Sequence, residues 1–196
     1  MTIILPRLPR GAGYAVRFVR NSETQRAGTG GALSPLNRSG DHFAIEVDVG
    51  ALGAACGREL LVDIARGMGE RLRVPLPDRG IDKGAPGTPR VKGADQAGTS
   101  LDLDGFSPQY AILKGWFFTV VTPDGPSAHL VAETVVADAA GEATVTFWPA
   151  LWLEPADNDL IVLIDPYIEG LVVEDGDQTS GLSRSVSTDS FVVEEG

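Results

Sequence analysis

Short β-prone runs separated by turn residues fill most of the second half of this chain, and that spacing constrains the fold more than any other feature. Candidate strands lie at 116–121 (WFFTVV), 128–136 (AHLVAETVV), 142–148 (EATVTFW), 159–165 (DLIVLID), 170–174 (GLVVE) and 189–194 (DSFVVE). β-Branched and aromatic side chains suit a pleated, half-buried surface, so such runs favour strands. Pro123-Asp124-Gly125-Pro126 reads as a turn and Asp138-Ala139-Ala140-Gly141 as a hairpin loop. Strands recurring at intervals of roughly ten residues point to a β-sandwich or a small barrel.

The first half is more mixed. Residues 14–20 and 42–48 alternate in character, the second with Phe43, Ile45 and Val47 on one face and His42, Ala44, Glu46 and Asp48 on the other. Between them, 21–41 is polar and Gly-rich and reads as a long loop or an arm. One helix is expected at about 51–67. Leu52, Cys56, Leu60 and Ile64 form its apolar stripe, widened by Ala55, Leu61, Ala65 and Met68. Asp48 or Gly50 is placed to cap its start and Gly67 or Gly69 its end. A strand over 70–76 follows, with Pro75 putting it near an edge. The fold class expected is therefore mainly β, with sandwich or barrel lobes and one α-helix inserted in the N-terminal lobe.

Charge divides unevenly along the chain. Residues 1–92 hold 14 basic and nine acidic residues, a net +5, while 93–196 hold two basic and 18 acidic, a net −16. The sign changes inside the turn-rich stretch 77–100, near Gly93, which suggests a basic β-rich lobe over 1–92 and an acidic all-β lobe over 93–196. Complementary fields of this kind favour head-to-tail contact between copies, which closes into rings or runs on as filaments. A sheet edge wrapped in solvated acidic loops gives the same pattern. The net charge of −11 argues against nucleic acid as the main partner. The apolar run at the start is too short for a secretory signal and is interrupted by Pro6, and no 18-residue apolar stretch is present, so membrane insertion is not expected. A soluble protein of a reducing, cytosol-like compartment is the expectation. Cys56, the single cysteine, reads as a small buried hydrophobe.

Chemical motifs are sparse. His42 and His129 both fall in expected strands, without metal-ligand spacing. Gly11-Ala12-Gly13 lacks the third glycine of a dinucleotide loop, and Gly93–Gly98 lacks the lysine of a phosphate loop, so both read as turns. Asp102-Leu103-Asp104-Gly105 matches only a fragment of a calcium loop. Asp157-Asn158-Asp159 and Glu174-Asp175-Gly176-Asp177 read as solvated acidic turns. Ser34, Ser127 and Ser180 have no nucleophile-elbow context. No catalytic, cofactor or metal residue is assigned, and the chain is not expected to be an enzyme. Trp116, Trp148 and Trp152 read as core or interface residues, with stacking on sugar rings as the alternative.

Several segments in order carry a resemblance. MTIILPRLPR, the stretch Ser34-Pro35-Leu36-Asn37-Arg38-Ser39-Gly40 followed by Asp41-His42-Phe43-Ala44, and Val74-Pro75-Leu76-Pro77 come first. Val91–Gly98, Leu101–Gly105, Leu113-Lys114-Gly115-Trp116-Phe117-Phe118, Gly141–Val145 and Trp148-Pro149-Ala150-Leu151 follow. Over roughly 1–155 the chain resembles tail-tip components of long-tailed bacteriophages, similar in role to distal tail proteins. The resemblance implies a structural virion protein without a cofactor, assembled in the bacterial host cytoplasm. It implies a ring of identical copies, often hexameric, that joins the tail tube to the tip or baseplate. It also implies a belt-forming lobe with a helix and a peripheral sandwich or barrel lobe. Partners would be further copies of the chain, the tail tube and tail-tip proteins. Arg7, Arg10, Arg17, Arg20, Arg26 and Arg38 are the candidate subunit-interface residues. A β-sandwich module binding glycans or a receptor is the alternative function.

Overall fold

The structure is a computed structural model that describes residues 2–5, 12–21, 23–26, 33–36, 40–78, 81–173, 185–188 and 190–196, with backbone alone at 23–26, 33–36, 51–55 and 185–188. In chain order the first half contains β1 (Ile3–Ile4), β2 (Gly13–Val19), β3 (Glu23–Arg26), β4 (Leu33–Leu36), β5 (His42–Asp48), β6 (Gly50–Gly53), α1 (Ala54–Gly67), β7 (Leu72–Pro75) and β8 (Gly87–Val91). Then come β9 (Ser100–Phe106), β10 (Ala111–Ile112), β11 (Phe117–Thr122), β12 (Gly125–Val131), β13 (Val135–Val136), β14 (Ala143–Trp148), β15 (Leu160–Val162), β16 (Tyr167–Val173), β17 (Ser185–Thr188) and β18 (Phe191–Glu195). Among the described residues the fold is mainly β with one helix, as the strand spacing leads one to expect.

The chain forms two compact units, and they do not divide at 92/93. One gathers Met1–Arg17, Phe43–Arg79 and Tyr167–Gly196; the other gathers Phe18–His42 and Gly80–Pro166. Strand pairing overrides the change of charge. β8 and β9 flank Gly93 yet are neighbours in one barrel, with Val91 opposite Leu103. β16 and β18, from the acidic end, share a sheet with β1, β7, β5 and β2 from the basic half. The first unit thus carries nine basic and 13 acidic residues, a net −4, and the second seven and 14, a net −7. The split along the chain is not a split between folded units.

In the first unit the strand order is β1-β7-β16-β18-β5-β2. β1 runs parallel to β7, and the β7–β16, β16–β18 and β18–β5 pairs are antiparallel. Register puts Ile3, Leu72, Val74, Ile168, Val172, Val193, Ile45 and Val47 on one face, all buried. α1 lies against β7 and β16 and buries Gly57, Leu60, Ile64 and Gly67. Burying side chains such as Leu60 and Ile64 contributes about 1.5–3 kcal/mol each. The expected stripe is therefore rotated. Cys56 is exposed rather than buried, Ala65 is exposed, Met68 is 42% exposed, and Leu52 belongs to β6 rather than the helix. The cause is glycine. A Cβ at Gly67 would stand 2.7 Å from Cγ2 of Val172, so the missing side chain lets the helix approach the sheet. A hydrophobicity pattern gives glycine no credit for such contact. Asp48 does not cap α1; its carboxylate accepts from the Gly50 N–H.

The second unit is a closed six-stranded barrel, β11-β12-β14-β9-β8-β15, with β15 pairing back onto β11. Alternate residues point inward: Leu101 and Leu103, Phe118 and Val120, Val145 and Phe147, Ile161 and Leu163, joined by Val91, Val131 and Trp116. Closure removes the free edges of a sheet. Segments read from sequence as loops hold strands here. Residues 21–41 contain the β3–β4 hairpin, and 77–100 contain β8, whose Pro89 is accommodated by a register shift between Gly87 and Arg90. The expected strand 128–136 is broken in two, because β13 leaves the barrel to pair with β10.

Candidate functional site

Six arginines are the sequence candidates for contact between copies. Arg7, Arg10 and Arg38 lie outside the described residues, and Arg26 is placed in β3 by its backbone alone. Arg17 lies in β2, which ends the six-stranded sheet, and the exposed Arg20 immediately follows that strand. None of the seven residues of β2 is buried. Arg17 donates to the Glu46 carboxylate on β5 at 2.7 Å. Hydrogen bonds from Ser190 and Arg17 hold Glu46 below the usual carboxylate range. Part of the positive charge assigned to a neighbour is thus used within the sheet.

The face of this sheet turned away from α1 is mixed. Ile4 is 67% exposed, and Leu171 and Val173 on the interior strand β16 are 46% and 40% exposed. Beside them Glu169 is buried and receives the Arg73 Nε–H at 2.7 Å. The Thr2 hydroxyl donates to its other oxygen, and the Arg73 guanidinium lies 4.0 Å from the centre of the Tyr167 ring.

Two polar side chains of β12 are wholly buried. They are His129 and Ser127, at adjacent inward positions of the strand. The carbonyl of Pro149 has no proton to give, so His129 donates from Nδ1 at 2.9 Å, and Nε2 accepts from the Ser127 hydroxyl at 3.0 Å. The imidazole lies among Phe118 and Phe147, with ring centres 5.4 and 4.7 Å away. Burial lowers its pKa to about 4, against the smaller opposing effect of the Pro149 hydrogen bond. A serine hydroxyl on a neutral imidazole resembles a nucleophile and its base, but a substrate cannot reach atoms wholly enclosed by the barrel wall. Spacing of two residues along a strand marks the pair in the sequence; the Pro149 carbonyl does not show there. Near one end of the barrel the Lys83 ammonium donates to the Phe117 and Leu163 carbonyls at 2.9 and 2.7 Å. It also lies 5.6 Å from the centre of the Trp116 ring.

Glu174-Asp175-Gly176-Asp177 lies outside the described residues, and the other acidic motifs have local partners. Asp102, on β9, accepts from the Thr144 hydroxyl at 2.6 Å. The Asp157 carboxylate accepts from the Gly93 N–H, and that of Asp159 from the Ala156 N–H. Asp138 receives the N–H groups of Ala140 and Glu142, which keep its pKa low and fix the turn before β14. Lys92 pairs with Glu142 on the barrel surface, which raises the lysine pKa. Among the described residues no group of three or more His, Cys, Asp or Glu is arranged to hold a metal ion. Trp116 is a core residue, whereas Trp148 and Trp152 are half-buried, Trp148 with Phe18 edge-on against it at 5.3 Å. Comparison with known proteins gives no family model that matches the chain and no curated protein that matches it significantly.

Proposed function

We propose that this chain is a structural protein of a phage tail, forming a ring of identical copies at the distal end of the tail tube and connecting it to the tip. The reading draws on the ordered resemblance across 1–155 and on one structural observation. β2 ends an open sheet, has no buried residue, and belongs to a stretch of 22 residues with four arginines and no acidic residue. The two ends of that sheet are different strands, β1 and β2, so contact of one with the other is head-to-tail, the geometry that generates rings. Exposed ion pairs contribute only about 0–1 kcal/mol each, so charge sets orientation while apolar contact and strand pairing hold the copies together. Sedimentation of the purified chain at low and high salt tests this. A discrete oligomer that loosens with salt supports the reading; a monomer at all salt and protein concentrations, with its tail partners present, refutes it.

A second reading, a glycan-binding module, draws on Phe18, 55% exposed, lying against half-buried Trp148. Glycan-array binding that is lost in Trp148→Ala would favour it over the first.

A further inference from the structure

The seam between β12 and β14 is short. Leu130 opposite Trp148 and Val131 opposite Phe147 are in register, and the Ala132 N–H adds one bond to the Thr146 carbonyl. Where the ladder ends, the His129 Nδ1–H reaches the Pro149 carbonyl, just beyond β14, and fastens the strands by a side chain. We propose that this seam is a proton-gated opening of the barrel, closed while His129 is neutral and opened when it takes a proton.

The surroundings leave a buried cation no counter-charge. β11 presents Phe118 to the ring, β14 presents Phe147, the segment after β14 presents the Pro149 carbonyl, and β12 itself presents Ser127. None of these is acidic. The other buried ionisable group described in this unit, Lys83, is itself a cation and sits on the Phe117 and Leu163 carbonyls. A proton on Nε2 therefore places an unpaired charge among aromatic rings, a cost that separating the strands and admitting water removes. The sign follows from linkage. The open state binds the proton more readily than the closed one, so opening becomes easier as pH falls from the ordinary histidine range toward about 4. No substrate or partner is required, and the device is independent of the ring reading.

Hydrogen exchange of the full chain tests it, read at the Leu130, Ala132 and Trp148 amides, which lie across the seam, and corrected for intrinsic rate. The expected result is a loss of protection on the order of twentyfold between pH 7 and pH 5, absent in His129→Gln, whose amide can donate to Pro149 and accept from Ser127. Equal losses in both proteins, or none in the parent, overturn the proposal. If His129→Gln does not fold, imidazole nitrogen shifts of the parent decide. A neutral Nδ1–H tautomer at pH 5 in the closed barrel supports it, and a cationic ring there, with native barrel resonances, overturns it.

Discussion

Pro75 and Tyr167 stand opposite one another in β7 and β16 although the whole barrel lies between them in the sequence. The barrel is thus the connection of what would otherwise be a simple antiparallel hairpin. Its closed strand order and its own core imply that it needs nothing from the sheet to fold. The isolated segment 80–166 is expected to unfold cooperatively, with the near-ultraviolet signal of a packed Trp116. A segment with secondary structure but no cooperative transition would show that the unit depends on the rest of the chain.

Glu169 is a buried carboxylate whose charge is balanced by Arg73. Arg73→Met leaves that charge uncompensated and is expected to cost about 3–5 kcal/mol. Arg73→Lys keeps the charge but loses the Nε–H contact and the planar stack on Tyr167, so it falls between the two. Urea midpoints of the three proteins check the order.

Gly170 of β16 stands opposite Glu195 of β18. A Cβ there would stand 1.7 Å from the Glu194 carbonyl oxygen, a backbone atom that moves only if the strands separate. Gly170→Ala is expected to destabilise the first unit by ~3 kcal/mol or more. Thermal unfolding of this variant against the parent measures it; a shift within error would mean the two strands part without cost.

Lys83→Met keeps most of the aliphatic stem but strands the Phe117 and Leu163 carbonyls. The expected loss is about 1–3 kcal/mol for each acceptor left unsatisfied, seen as faster exchange at the β11 and β15 amides. An unchanged pattern would mean that water replaces the ammonium.

Much of the fold was legible because β-branched runs and turn residues report local preference directly: β5, β11, β14, β16 and β18 fall at or near their expected places. The register of α1 was not, because Gly67 approaches Val172 through its lack of a side chain. β8 was hidden by Gly87 and Pro89, which a bulge tolerates. The division into units was misread at 92/93 because charge follows the chain while strand pairing does not, and β16 and β18 return to the sheet of β1 and β2. The Ser127–His129 pair was visible as two positions on one strand face, but its enclosure depends on Phe118 and Phe147 from other strands. Of the six arginines read as candidates for contact between copies, Arg17 pairs within the sheet with Glu46, a partner on β5 that sequence spacing does not reveal.

The claim on which the functional reading rests is that copies of this chain add to one another through β2. A direct measurement is native mass spectrometry of the purified chain beside Arg17→Glu/Arg20→Glu, at low and high salt. The account expects one closed oligomer for the parent, weakened by salt and lost in the double variant. A parent that stays monomeric at every concentration, or a double variant that assembles as the parent does, contradicts it.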